Sequence, residues 1–129
     1  MKIEQIKTNH EILNSYQIIK QLVGSIKESD FIHLLRKKEK KGYMLYGLKI
    51  EGLIVAIIGI RIYEYFGCGK FLVIDDLVTT KEHRNKGYGK LLFQWAIDFA
   101  KKNKCNEIQL DSSIDLFKAH KFYFNMDMK

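Results

Sequence analysis

Hydrophobic positions change period several times along this 129-residue chain, and each change marks an element. Lys2 to Ile6 alternates polar and apolar residues, the pattern of a short half-buried strand. Thr8-x-x-Glu11 is then a capping box, in which each side chain can meet the other's backbone N–H, so a helix is predicted from there to about Val23. A second helix follows, with Asp30 as its expected N-cap and Phe31, Leu34 and Leu35 on its buried face. Tyr43 to Ile50 and Leu53 to Tyr63 read as an antiparallel pair joined at Glu51-Gly52, and a third strand runs from Phe71 to Val78. Ile54 to Ile60 is almost wholly apolar, which places it centrally in the sheet. Beyond a glycine-containing loop, Leu91, Leu92, Trp95 and Phe99 recur at helical spacing and are read as core packing.

No repeat, linker or low-complexity segment interrupts these elements, so residues 1–129 are read as one domain. Hydrophobic residues at 47% and charged residues at 29% suit a globular protein, and no apolar run reaches the length of a membrane span. Met1 to Lys7 lacks a signal-peptide core, which makes a cytoplasmic location the expectation. Cys68 and Cys105 have no metal-ligand spacing and are expected to be reduced thiols. The formal charge of +7 is compatible with nucleic acid or an anionic cofactor, but its distribution points elsewhere. Lys37, Lys38, Lys40 and Lys41 end one helix and Lys101, Lys102 and Lys104 end another, where cations meet the negative end of the dipole. They are therefore read as solvated helix ends, and nucleic acid is not the expected partner.

Chemistry concentrates in Arg84-Asn85-Lys86-Gly87-Tyr88-Gly89, between the third long strand and the helix that follows it. Gly87 and Gly89 let the backbone turn tightly and approach a ligand, and the helix start at Tyr88 to Lys90 supplies N–H groups and the positive end of a dipole. Arg84, Lys86 and Lys90 add counter-charge, so the stretch suits a diphosphate. A simple glycine turn with solvated lysines is the plain alternative. The phosphate loop of nucleoside triphosphatases does not fit, because Leu91 follows Lys90 and no earlier glycine has the right spacing. The dinucleotide fingerprint fails as well, since Leu72 and Leu92 stand where its third glycine belongs.

Arg84-x-x-Gly87-x-Gly89 matches the Arg-x-x-Gly-x-Gly signature of the GNAT superfamily of N-acetyltransferases, and the chain resembles that family across most of its second half. Asp75-Asp76-Leu77-Val78-Thr79 looks like the family's fourth strand, Asn106 to Asp111 like the fifth, and Ala119-His120-Lys121-Phe122-Tyr123 like the helix after it. The resemblance implies an α/β fold: a mixed, largely antiparallel sheet with helices on both faces. It further implies that acetyl-coenzyme A is the cosubstrate, its pyrophosphate held by Arg84, Asn85, Lys86, Gly87, Tyr88, Gly89 and Lys90. Main-chain groups of Leu77, Val78 and Thr79 would pair with the pantetheine arm, with Ser112 and Ser113 either bonding the same arm or capping the next helix.

Acetyl transfer to an amine asks for a base to take the proton, N–H donors for the developing oxyanion, and an acid for the departing thiolate. The resemblance assigns the donor to the main chain near Leu77 or Val78, and the acid to Tyr123, whose unperturbed phenol, with a pKa of about 10, is protonated at neutral pH. Asp75 and Asp76 are the candidates for the base. Strand alternation would send them to opposite faces, so only one is expected to enter the site, and Asp75 is preferred unless a bulge reverses the parity. His10, His33, His83 and His120 show no metal-ligand spacing, so no metal is expected, and His83 is read as shaping the turn before Arg84.

Two departures from the family pattern stand out. Asp127 replaces the glycine usual after Phe-Tyr, and the chain stops at Lys129, where a further strand would complete the sheet. Either the sequence is shortened there or another chain covers the open edge, as in a homodimer. The acceptor is expected to be a small-molecule amine or a protein amino group, recognised by the first two helices and the Tyr63 to Lys70 loop. A coenzyme A-binding module without catalysis, and an RNA-binding or aminoacyl-tRNA-modifying protein, are the alternatives from other classes.

Overall fold

A computed structural model describes residues 1–67 and 69–110. In chain order they form β1 (Lys2–Gln5), α1 (Asn9–Val23), α2 (Glu28–Glu39), β2 (Met44–Ile50), β3 (Leu53–Tyr65), β4 (Gly69–Thr79), a single 3-10 turn at Lys81–His83, α3 (Tyr88–Lys102) and β5 (Glu107–Leu110). The five strands lie in the order β1-β2-β3-β4-β5. All neighbours are antiparallel except β4 and β5, which run parallel, so the sheet is mixed and largely antiparallel as expected. The expected strand beginning at Asn106 is described as far as Leu110; Asp111 and the helix at Ala119 to Tyr123 lie outside the described residues.

Local chemistry accounts for the element boundaries. The Thr8 hydroxyl accepts from Glu11 N–H at 3.1 Å, and the Glu11 carboxylate accepts in return from Thr8 N–H at 3.2 Å, closing the capping box of α1. Lys49 on β2 reaches the same carboxylate at 3.2 Å, tying α1 to the sheet. These partners, the Thr8 N–H foremost, hold the Glu11 carboxyl down at about 2. Glu51 and Gly52 both adopt positive φ, the requirement of the tight two-residue turn that joins β2 to β3. The start of α2 differs from the sequence reading. Its N-cap is Lys27, without a side-chain hydrogen bond, and Asp30 instead sits with Glu28 in the first turn, where a carboxylate meets the positive end of the dipole.

Two apolar layers cover the sheet. On one face α3 packs Leu92, Phe93, Ala96, Ile97 and Ala100 against Ile58, Ile60, Leu72, Ile74 and Ile108. On the other, Ile12, Tyr16, Phe31 and Leu35 from α1 and α2 meet Leu45, Ile57 and Val78. The strand β3 lies at the centre, and Ile54 to Ile60 is buried throughout. Leu91 and Leu34, expected in the core, are 40% and 42% exposed. Phe31 and Leu35 on α2 and Leu92 on α3 are buried as expected, Trp95 and Phe99 are partly buried against the core, and Phe93 and Ile97 join the inward face of α3.

A bulge in β4 shapes what lies between α2 and the sheet. Gly59 pairs with Asp76 and Ile60 with Ile74, which leaves Asp75 as an extra residue on β4. Ile74 and Leu77 pack on the α3 side and Val78 on the α1–α2 side. Asp75 and Asp76, between them, both line one cavity beside α2. The expectation that alternation would separate the two carboxylates is therefore corrected by the extra residue. Opposite Asp76, Gly59 leaves room for the Tyr43 ring to cross the sheet. A Cβ at Gly59 would lie 1.8 Å from the Tyr43 hydroxyl and 2.3 Å from Cζ, inside any permitted contact.

Gly59→Ala must therefore expel the Tyr43 ring from its seat. A loss of about 1–3 kcal/mol of stability is expected, as for other overpacked interiors, measured as a shift in denaturant midpoint. A variant as stable as the parent, with Tyr43 unmoved in its structure, would contradict this account of the glycine.

Candidate active site

The cavity on the α2 face has a volume of about 480 Å³ and is lined by Leu34, Lys37, Lys38, Lys41, Tyr43, Arg61, Asp75 and Asp76. That volume is within the range of small-molecule sites. Its floor is a set of interlocked polar groups. Arg61 grips Asp75 with two nitrogens: Nε donates to Oδ2, and Nη2 donates to Oδ1 at 2.7 Å. The Arg61 guanidinium also donates to the Tyr63 hydroxyl and lies 5.1 Å from the centre of that ring. Asp75 is thereby fixed, its side chain only 11% exposed. Asp76 Oδ2 accepts from the Tyr43 hydroxyl at 2.6 Å. Burial, reinforced by the negative charge of Asp76, pushes the Tyr43 phenol well above its ordinary value, so it stays protonated and acts as the donor.

The opposite wall comes from the end of α2. Lys37, Lys38 and Lys41 are exposed there, as expected, and the same placement turns them toward the cavity. The Lys38 ammonium lies 5.4 Å from the centre of the Tyr43 ring, a cation–π contact that joins the two walls.

Among the described residues, which reach Leu110, β5 pairs with β4 from Phe71 to Ile74, while β3 follows the other side of β4 as far as Thr79. Among the described residues, no strand pairs with Leu77, Val78 or Thr79 on the β5 side. The segment is about 10 Å long at the usual strand rise and ends where α3 begins. Thr79 Oγ1 is the nearest neighbour a Cβ at Gly89 would meet, at 3.7 Å. The turn between is braced by His83, whose backbone N–H donates to the Thr80 carbonyl at 3.0 Å and whose Nδ1 shares a 2.7 Å hydrogen bond with the Thr80 hydroxyl. The expected part of His83 in shaping this turn is seen directly.

The glycine loop has the form of an anion cradle. Asn85 and Gly87 take positive φ, and Gly87 is the left-handed N-cap of α3 with no side-chain hydrogen bond. The first intrahelical bond runs from Leu91 N–H to the Gly87 carbonyl, so the Tyr88, Gly89 and Lys90 amides precede the helical ladder. No acidic residue occupies the first turn, and Arg84, Lys86 and Lys90 are exposed around it. A Cβ at Gly87 would meet nothing within 4 Å, so the space over the helix start is open. Donors, charge and space together fit a pyrophosphate such as that of acetyl-coenzyme A.

The structure thus brings Asp75, Asp76, Leu77, Val78, Thr79 and the loop from Arg84 to Lys90 into one run along β4 and the start of α3. Ser112, Ser113 and Tyr123 lie outside the described residues, as does Cys68, while Cys105 is a buried free thiol. Among the described residues no cluster of metal-ligating side chains occurs. Tyr43, Gly59 and Arg61 escaped the sequence reading. Two signals pointed to them: a glycine inside an otherwise apolar strand, which marks a close approach, and an arginine directly after that apolar run.

Comparison with known proteins agrees with this geometry. Residues 9–126 match the family model described as the acetyltransferase (GNAT) family. A Bacillus subtilis relative called the N-acetyltransferase YhdJ is 33% identical over 122 residues, covering 94% of this chain and 86% of its own length. Among solved structures, a GNAT family acetyltransferase from Staphylococcus aureus aligns with a TM-score of 0.77 at 23% identity, over 86% of this chain and 85% of that one. Glucosamine-6-phosphate N-acetyltransferase from Arabidopsis thaliana aligns with a TM-score of 0.75, also at 23% identity, over 95% and 89%. The two structures share the fold, and the family model and the B. subtilis relative establish the affiliation: this chain belongs to the GNAT family of acetyltransferases.

Proposed function

We propose that the protein transfers an acetyl group from acetyl-coenzyme A to a primary amine seated in the α2-side cavity. The observation that carries this reading is the position of Leu77 to Thr79. This segment links the carboxylate cavity at one end to the anion cradle at the other. The cradle residues from Arg84 to Lys90 would hold the pyrophosphate, and the main chain of Leu77, Val78 and Thr79 would align the pantetheine arm beside β4. Bound acetyl-coenzyme A supplies the activated acetyl thioester. The chain's own task is to hold the amine, remove its proton and offer N–H donors near Leu77 or Val78.

The two carboxylates divide the work. Asp75 gives both oxygens to Arg61, and using it as a base would break that two-pronged contact. Asp76 meets the cavity with a phenol hydrogen bond, and the buried Tyr43 fixes its orientation. We therefore assign proton removal to Asp76 and the setting of Arg61 to Asp75, the reverse of the preference drawn from sequence. Tyr123 keeps its place in the proposal as the acid for the departing sulfur, and Ser112 and Ser113 theirs beside the arm. An inert coenzyme-binding module would bind acetyl-coenzyme A and turn over no amine.

Replacing Gly87 by aspartate puts a β-carbon in a left-handed conformation and a negative charge over the helix start, with no protein atom in its way. Acetyl-coenzyme A affinity, measured calorimetrically, is expected to fall on the order of tenfold further than in Gly87→Ala, which adds strain without charge. Equal affinities for the two variants would remove the cradle from the account.

Asp76→Asn is expected to slow acetyl transfer on the order of 10²-fold or more in single-turnover measurements, with acetyl-coenzyme A affinity nearly unchanged. Asp75→Asn is expected to register first as lost stability, through the loss of the charged two-pronged contact with Arg61. A larger loss of the chemical step in Asp75→Asn than in Asp76→Asn would return the base to Asp75.

A further inference from the structure

Charge around the α2-side cavity is lopsided in a way that acetyl transfer to a simple amine does not require. Among the described residues, four cationic side chains, Lys37, Lys38, Lys41 and Arg61, line the cavity with two carboxylates, Asp75 and Asp76. Asp75 is committed to Arg61 through the two-pronged contact. That leaves three lysines across the cavity from Asp76. The dipole of α2 accounts for lysines at its end, but not for which of them turn toward the cavity. Lys40 belongs to the same cluster and is exposed, yet it does not line the cavity. Arg36, also in the last turn, is engaged elsewhere: it donates to Glu39 at 2.8 Å, to the Lys7 carbonyl at 2.8 Å and to Asn9 at 2.7 Å.

We propose that the acceptor is an amine that also carries an anionic group, a phosphate, phosphonate or carboxylate, received by Lys37, Lys38 and Lys41 while its amino group meets Asp76. This deepens the acetyltransferase reading and rests on its placement of the acceptor. A ligand with one charge of each sign satisfies both walls. A polyamine or a polycationic sugar would meet Asp76 favourably but would also have to lie against three ammonium groups, and like charges at short range oppose binding. Leu34, 42% exposed and lining the cavity one turn before Lys37 and Lys38, offers an apolar contact to a short carbon segment joining the two charged ends. Lys38, held over the Tyr43 ring, is positioned to act on the same ligand whose amine Tyr43 helps to place through Asp76.

The test compares O-phosphoethanolamine, β-alanine, ethanolamine and spermidine, first as ligands by NMR titration and then as acceptors by kcat/KM with acetyl-coenzyme A. O-phosphoethanolamine or β-alanine is expected to bind on the order of tenfold more tightly than ethanolamine, and which of the two leads identifies the anion as phosphate or carboxylate. The preference should shrink with added salt. In the triple variant Lys37→Ala, Lys38→Ala, Lys41→Ala it should vanish, with the loss appearing in KM rather than kcat, while Lys40→Ala keeps it. Ethanolamine or spermidine binding as well as both anionic amines would overturn the proposal, as would a preference that survives the triple variant. Binding of the anionic amines that depends on the three lysines, with no acetylation of any amine, would support this inference and contradict the acetyl-transfer reading.

Discussion

One extra residue in β4 governs the site. Had β4 kept a regular register against β3, Asp75 and Asp76 would face opposite sides of the sheet, one among the apolar side chains that α3 covers. An isolated carboxylate in that layer would cost several kcal/mol unless protonated or paired. The bulge instead turns both acids toward α2, where Arg61 and Tyr43 satisfy them. Its location is set by packing as well as by the acids: Ile74 and Leu77 continue the α3-side layer on either side of it, and Val78 returns to the α1–α2 layer.

The same constraint organises the remainder of the site. The carboxylates follow directly on Ile74, which still pairs with both β3 and β5. The stretch from Leu77 to Thr79 keeps its hydrogen bonds to β3 on one side and runs directly into the turn that sets the start of α3. The strand thus spaces the charged cavity on the α2 face from the backbone N–H groups at the glycine loop. Tyr43 depends on the central strand too, because only a glycine at position 59 lets its ring reach Asp76.

Much of this was legible in the sequence, and the failures have physical causes. The capping box at Thr8 and Glu11, the two-residue turn at Glu51-Gly52 and the left-handed Gly87 are local, and a few neighbouring residues decide them. The left-handed turn of the glycine loop was readable for the same reason. Register is not local: the parity of Asp75 and Asp76 depends on pairing with β3, so alternation along β4 alone misplaced one of them. Tyr43, just before β2, and Arg61 on β3 meet Asp76 and Asp75 only after the sheet has formed. The lysines of α2 were legible as a helix end, but which of them face a cavity depends on the rotation of the helix. Leu34, read as core, is 42% exposed and lines that cavity.

The central claim is that β4 separates a cofactor track, along Leu77 to Thr79 and the Gly87 loop, from an acceptor cavity against α2. Backbone NMR during titration with coenzyme A tests it most directly. The account predicts shift changes concentrated in the amides of Leu77 to Thr79 and Gly87 to Lys90, with those of Lys37, Lys38 and Lys41 nearly unmoved. Shift changes centred on the α2 lysines, with the Gly87 loop silent, would contradict it.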